Sequence, residues 1–412
     1  MANRLALTMV FALSFASYLA PDVMLSVQLV PLVLFAVIVI FKIFFSRGLL
    51  HALESLFAAD SLLFVVFLSL LIVISSMQPK YDKSFAFSLV LSSFLILARL
   101  YTTMVPLSEI AEAFFWSGVI SVAIFLPLVF GSLLESMRTL SRFSAFAFHP
   151  NLLGFVLGGY FCAMIWKLLT GGPAIRLISA FAGIVCLVIM FFASSRGSIA
   201  GVVAGCAVIA AISIVRPPKG GRRKLVKSLL ISAALICAAV VWVQHLDWFK
   251  DGYDAAGAVL ALTDPNRGVD SGLTGRVDKW QRTISALSDG SWLFGHGIRS
   301  SDMQDQLIDN SYLVMTYEVG IVPLILVVCR YAVVLHRFLR NYLSSVSSAE
   351  AMFYLSCLLF TLVFLTSNFF ARFLLAVGNP CSLFAAFLFV SPLYSTGAIP
   401  IRASALGATA AV

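Results

Sequence analysis

The chain reads as a succession of long apolar runs divided by short polar breaks, with a single long interruption near residue 250. Twelve runs can be drawn: 5–20, 23–45, 61–76, 84–104, 112–130, 151–169, 175–194, 197–215, 228–245, 311–335, 351–368 and 373–391. Each is near the roughly 20 residues that a helix needs to cross about 30 Å of hydrocarbon. Their length and lack of strict alternation exclude an outer-membrane barrel. The pattern predicts an all-α polytopic membrane protein with about 12 transmembrane helices. The interruption, 246–310, predicts one large loop between late helices. The organisation divides accordingly into helices one to five (1–130), helices six to nine with their polar turns (131–245), the loop (246–310) and the last three helices (311–412).

Composition agrees with that class. Hydrophobic residues make up 61% of the 412, charged residues 11%, and the mean hydropathy is +1.00, which excludes a soluble domain with a large core. Charge then sets the orientation. The turn "RPPKGGRRKLVK" (216–227) is the strongest basic cluster and is read as cytoplasmic. Counting outward from it puts both termini in the cytoplasm, with 16 of the 28 basic residues on that side and 12 outside. Six of the outer 12 lie in the long loop, which the rule does not count. Loop 246–310 is therefore expected outside. The surplus charge of +9 needs no nucleic acid, because a positive face beside anionic membrane lipid accounts for it. Residues 1–20 have the look of a signal peptide but are read as an uncleaved first helix.

Several chemistries are not encoded. The seven cysteines all fall in predicted helices without a C-x-x-C pair, and the five histidines are scattered, so neither a disulfide framework nor a metal site is expected. No P-loop glycine pattern is present and no cofactor is implied. The chain has no evident repeat halves, which argues against a lipid-linked oligosaccharide flippase or other transporter.

The polar residues that remain gather toward one side. The loop holds ten aspartates and six basic residues, and its Trp248, Trp280 and Trp292 argue for packing rather than disorder. Within "TGRVDKWQRTISALSDG", Val277, Trp280, Ile284 and Leu287 fall at helical spacing, with Thr274 as N-cap and Gly290 as stop. This amphipathic helix leaves Arg276, Lys279 and Arg282 on its polar flanks. "SRFSAFAFHPN" (141–151) brings Arg142, His149 and Asn151 to the same side. "ASSRGSIAG" (193–201) brings Arg196, and "IDNSYL" (308–313) brings Asp309, Asn310 and Tyr312. Arginine forks match phosphate oxygens, helix N-termini add backbone donors, and a carboxylate or histidine can take a proton from an attacking hydroxyl. Such a set suits a lipid-linked diphosphate donor and glycosyl transfer without a metal.

The order "FHPN", "SSRGSIAG", "GRVDKWQRTISA...WLFGHG", "DNSYLVMTYEVGIVP" resembles the O-antigen ligase and polymerase superfamily over residues 140–330. The resemblance implies a glycosyltransferase-C-like membrane fold with a large periplasmic loop, in a bacterial inner membrane. It implies an undecaprenyl-diphosphate-linked oligosaccharide as substrate, with a chain-length regulator and a flippase as partner proteins. It also implies that Arg196 and Arg276 bind the polyprenyl diphosphate. Ligase members usually carry a His–Asn pair where this chain has Asp309–Asn310, so the resemblance points first to a Wzy-like polysaccharide polymerase, for O-antigen or exopolysaccharide. An O-antigen ligase acting on lipid A–core is the alternative.

Each candidate has a plainer reading. Arg196 could anchor a hairpin at the headgroups, and Arg276 could be a solvated helix flank. Asp309 could be the base, a helix cap or a sugar ligand. Asn151 has a ready role as N-cap of the sixth helix, while His149 and His296 could be turn residues. Tyr312 could stack on sugar or sit in the aromatic belt, and Trp280 joins the candidate substrate contacts. Glu318 lies about 12 Å into the tenth helix. It is expected to line the same polar cavity, since an ionisable group at that depth is costly.

Overall fold

The computed structural model describes residues 2–19, 24–45, 62–77, 82–139, 141–146, 148–215, 272–287, 291–303, 308–374, 376 and 378–392. These are helical almost throughout, with no strand beyond an isolated bridge between Ala145 and Phe148. The first eight helices are α1 (Ala2–Ala16), α2 (Met24–Phe45), α3 (Leu62–Ser76), α4 (Asp82–Met104), α5 (Leu107–Thr139), α6 (Pro150–Thr170), α7 (Pro173–Phe192) and α8 (Arg196–Val215). They are followed by α9 (Gly272–Ala286), α10 (Ser300–Met303), α11 (Ser311–Val319), α12 (Ile321–Ser344), α13 (Ser348–Ser367) and α14 (Pro380–Val390). Among the described residues, seven helices are long and apolar enough to cross a membrane: α4 to α8, α12 and α13. Four shorter apolar helices, α1, α2, α3 and α14, accompany them. The ninth run, 228–245, the basic turn 216–227 and most of the loop lie outside the described residues.

The bundle is organised around α6, most of whose side chains are buried among α5, α7, α8, α13 and α14. Its centre is aromatic: Phe114 of α5 stacks on Phe384 of α14 at 4.5 Å, and Phe11, Tyr160 and Phe360 pack around the pair. In lipid, apolar burial gives helices little reason to associate, so close van der Waals approach must do so. On α8 that approach comes from Gly197, Gly201 and Gly205, four residues apart on one face. A methyl group on them would meet Phe370, Ser367 and Val363 at 2.5–2.9 Å. This stripe seats the start of α8 against the end of α13.

Two apolar runs are not the single helices that the sequence predicts. The run 311–335 is broken between α11 and α12 at Gly320, which has φ +89°. The run 373–391 becomes helical only at Pro380, with Asn379 as its cap, accepting from the Ser382 amide at 2.9 Å. Before it, Ser311 and Asn368 tie the start of α11 to residues 368–374. The Ser311 hydroxyl donates to Asn368 Oδ1 at 2.5 Å, and the Phe373 amide donates to that same oxygen at 3.0 Å.

Backbone groups freed at the Gly320 break are met by the loop segment 291–297. The amides of His296 and Gly297 donate to the carbonyls of Tyr317 and Glu318, at 2.9 and 2.7 Å, and the Ile321 amide donates to Trp292 O at 2.8 Å. The imidazole of His296 stacks on the Tyr317 ring at 4.4 Å. Irregular backbone in a membrane protein is tolerated where protein satisfies it, as here.

Three arginines of the charge count meet at the end of α14. Arg99 of α4 donates to Val390 O at 2.8 Å. Arg330 of α12 donates to Phe389 O at 2.7 Å and Ser391 O at 2.8 Å, and Arg337 reaches Ser391 Oγ at 2.6 Å. They satisfy the last carbonyls of α14 and favour the negative end of its dipole. Arg4 and Lys167 flank Glu112 at the start of α5, joining α1, α5 and α6 at the opposite end of the bundle from the site described next.

Candidate functional site

A cavity of about 260 Å³ opens where the starts of α6, α8 and α11 meet the end of α13 and the face of α9. Arg142, His149, Arg196, Arg276, Lys279 and Asp309 all line it. Four separate stretches of sequence thus deliver four cations, one histidine and one carboxylate to one place. The volume is at the lower end for small-molecule sites, enough for a headgroup rather than an oligosaccharide.

Each side chain is placed by local structure. Arg142 follows α5, and its Nε donates to Ala193 O at 3.1 Å while Nη2 donates to Asn151 Oδ1 at 3.2 Å. His149 is the N-cap of α6, with Pro150 in the first turn. Its Nδ1 accepts the Asn151 amide at 3.3 Å. This corrects the expectation for Asn151, which does not cap the helix but holds Arg142. The capping geometry assigns the neutral ring's proton to Nε2, so His149 offers a donor rather than a base. Its pKa is held below the usual histidine range by partial desolvation, then by Arg142; Asp309 acts the other way, and Arg276 adds to the lowering.

The α7–α8 turn places Ser194 at φ +52°, an uncommon conformation outside glycine, and starts α8 at Arg196. Ser195 Oγ donates to Ser198 Oγ at 3.0 Å. The first-turn amides of α8 have no intrahelical acceptor, and Arg196, Gly197 and Ser198 all line the cavity.

Helix α9 begins at Gly272, so Thr274 lies within it rather than capping it, and Gly290 is outside the described residues. Its inward face is Thr283 and Leu287, both buried, about two and three turns beyond Arg276, instead of the face through Ile284, which is exposed. Leu287 packs with Ile308 and Tyr317, fixing the helix on α11. Arg276 therefore points inward and not along a solvated flank, with its side chain 16% exposed. Its Nε is 3.8 Å from Asp309 Oδ2, and its guanidinium carbon is 5.8 Å from the Phe370 ring.

The string Asp309–Asn310–Ser311 splits three ways. Asp309 faces the cavity. Asn310 is the α11 N-cap, accepting the amides of Tyr312 and Leu313 at 2.9 and 3.2 Å, so capping is not the task of Asp309. Ser311 makes the tie to Asn368 described above.

Three sequence candidates are elsewhere. Tyr312 donates to Leu365 O at 2.9 Å and packs on Phe369, and Trp280 is not part of the cavity wall. Glu318 is also outside it and accepts from Ser301 Oγ at 2.5 Å, so its polar surroundings come from the loop that meets the helix break. In turn, the sequence reading passed over Ser194, Ser195, Ser198, Ser367 and Phe370, which do line the cavity, as does Lys279 from the polar flank of α9. The quoted "SSRGS" held three of these serines, but serine has no charge to mark it. Ser367 and Phe370 sit in what hydropathy treats as helix end.

Residues 181–328 match the protein-family model described as O-antigen ligase. That stretch belongs to the O-antigen ligase and polymerase superfamily. No curated protein matches the chain. The O-antigen ligase stretch runs from within α7 to within α12 and carries Arg196, Arg276, Lys279 and Asp309. Arg142 and His149 precede it, and Ser367 and Phe370 follow it, so the cavity is completed from outside the match. Among the described residues, seven helices are thus long and apolar enough to cross a membrane, and the middle of the chain is similar to O-antigen ligases.

Proposed function

We propose that the cavity binds the diphosphate of a polyprenyl-linked glycan and that the protein is a polysaccharide polymerase acting on the outer side of the inner membrane. The observation that carries this reading is the convergence of Arg142, Arg196, Arg276 and Lys279 with the single carboxylate of Asp309. Four positive charges against one negative suit a dianionic or trianionic headgroup, and arginine forks pair with phosphate oxygens bidentately. In the reaction, a hydroxyl of the lipid-linked repeat unit attacks the anomeric carbon of the donor glycan. The bond from that carbon to the phosphate oxygen breaks, the configuration inverts, and polyprenyl diphosphate leaves with its charge met by the arginines, without a metal. The hydroxyl proton passes to Asp309. His149, with its donor nitrogen at the cavity wall, would hydrogen-bond the leaving phosphate or a sugar oxygen.

The ligase reaction is the second reading. The family description favours it, although position 309 lacks the histidine that ligase members usually carry. Deleting the gene separates the two. A polymerase deletion leaves single repeat units and no long chains; accumulation of long lipid-linked polymer, with only its final transfer lost, would establish the ligase. Asp309→Asn should reproduce the deletion, and near-normal product from that variant would remove Asp309 as base.

Orientation can be tested with the same membranes. Cysteine at Gln281, on exposed α9, should react with an impermeant thiol reagent in intact spheroplasts, and cysteine at Val346, between α12 and α13, should not. The reverse pattern would put the cavity on the cytoplasmic side.

A further inference from the structure

The cavity has two chemically different walls. On one, Arg276 and Lys279 of α9 face Asp309 of the α11 entrance. On the other, the first turn of α8 meets the end of α13, and amides and hydroxyls stand beside the cation of Arg196. Ser194 and Ser367 belong to this second wall, and both are about 97–98% buried. Neither hydroxyl has a hydrogen-bond partner among the described residues. A buried hydroxyl left unmade is unfavourable, and two of them beside the open end of a 20-residue helix form a set of donors without an acceptor. An anionic oxygen is the acceptor that such a set fits, and the helix dipole adds to its attraction.

We propose that the diphosphate is held in a fixed direction across the cavity. The phosphate on the lipid side sits at the α8 N-terminus, hydrogen-bonded by the Gly197 and Ser198 amides and by the hydroxyls of Ser194 and Ser367. The phosphate on the sugar side lies under Arg276 and Lys279. This rests on the diphosphate reading above and adds the order of its two phosphates. The order follows from Asp309: proton removal must occur beside the anomeric carbon, so the sugar-bearing phosphate lies at the wall that carries the carboxylate. Arg276, 3.8 Å from Asp309, offsets the repulsion that the carboxylate would otherwise exert there. The far phosphate, with no sugar to present, takes the α8 wall, where Arg196 meets its charge. Ser194 and Ser367 are binding residues in this scheme and take no part in bond making.

The test uses substitutions that should not harm the fold. Ser194→Gly removes the hydroxyl and suits the positive φ of that residue. Ser367→Ala removes a hydroxyl that has no partner among the described residues. In purified full-length protein, undecaprenyl diphosphate and undecaprenyl monophosphate are titrated as probes, and the melting temperature is recorded without ligand. Wild type should bind the diphosphate more tightly than the monophosphate. Each substitution should weaken diphosphate binding about 10-fold, as expected for loss of a hydrogen bond to a charged group. Undecaprenyl monophosphate carries only the lipid-side phosphate, so the double variant should weaken both probes and keep the preference for diphosphate, with a melting temperature equal to or above wild type. A loss confined to diphosphate would reverse the order of the two phosphates. Wild-type affinity in the double variant would overturn the inference while leaving the diphosphate reading intact. If wild type itself binds neither probe, the functional reading fails and this one with it. A double variant that melts lower than wild type would also count against it, since it would show that the hydroxyls had structural partners.

Discussion

Alanine at Arg196 or Arg276 will abolish glycan transfer while the protein still accumulates in the membrane. The expected loss is on the order of 10²–10³-fold for each, the scale seen when one donor to a developing oxyanion is removed from a preorganised site. Arg276 has the clearer physical case. Its inward-facing guanidinium is 3.8 Å from Asp309, and its Nε makes no hydrogen bond among the described residues, so the ion pair leaves donors for phosphate oxygens. Lysine at either position should restore little, because a point charge cannot supply two parallel donors. Arg282→Ala is the control. That side chain is on the exposed face of α9, where its Nε donates to Asp278 O at 3.4 Å. Polymer assayed in cells lacking the native gene reads all of these variants. Normal output from both alanine variants would remove the diphosphate site.

The second large effect is structural and concerns Gly320. A methyl group there would run into the Leu293 carbonyl, and φ +89° is itself unfavourable for any other residue. Gly320→Ala must therefore separate the 291–297 segment from the break between α11 and α12. That would remove the partners of the Tyr317 and Glu318 carbonyls and of the Ile321 amide. Each buried backbone group left unpaired costs about 1–3 kcal/mol. Three such groups exceed much of the stability of an ordinary domain, about 5–15 kcal/mol. The variant should accumulate poorly or melt far lower than wild type. Gly131→Ala, where a methyl group meets nothing within 4 Å, should melt like wild type or slightly higher. Equal melting of the Gly320 and Gly131 variants would show that the interlock contributes nothing.

The sequence exposed the charged part of the cavity because charge is what hydropathy makes conspicuous. Arg142, Arg196, Arg276 and Asp309 each interrupt or edge an apolar run, and a shared chemistry was enough to group them. It did not expose the break at Gly320, since "VGIVPLILVV" continues without a polar residue and the partners come from a loop 20 to 30 residues earlier. For the same reason Glu318 was assigned to the cavity: its depth marked it as paired, but only tertiary contact shows that the partner includes Ser301. The face of α9 was misread by apolar counting. An amphipathic helix beside an ionic cavity presents Arg276 inward and leaves Ile284 exposed. Capping, too, depends on which residue takes the extended conformation before Pro150, and His149 rather than Asn151 has it.

The arginine cap on α14 bears on how the protein is made. A chain enters the membrane from its N-terminal end, so α4 and α12 are in place before residues 389–392 leave the ribosome. Until then the guanidiniums of Arg99 and Arg330 lack the carbonyls they bind in the finished bundle. Arginine at the centre of a helix is costly to insert by itself. Helix α14, only 11 residues long and too short to span the hydrocarbon, is thus the piece that completes acceptors for residues made much earlier. A chain that stops before Phe389 would keep every residue of the charged cavity and still be an unfinished insertion product, open to quality-control proteolysis.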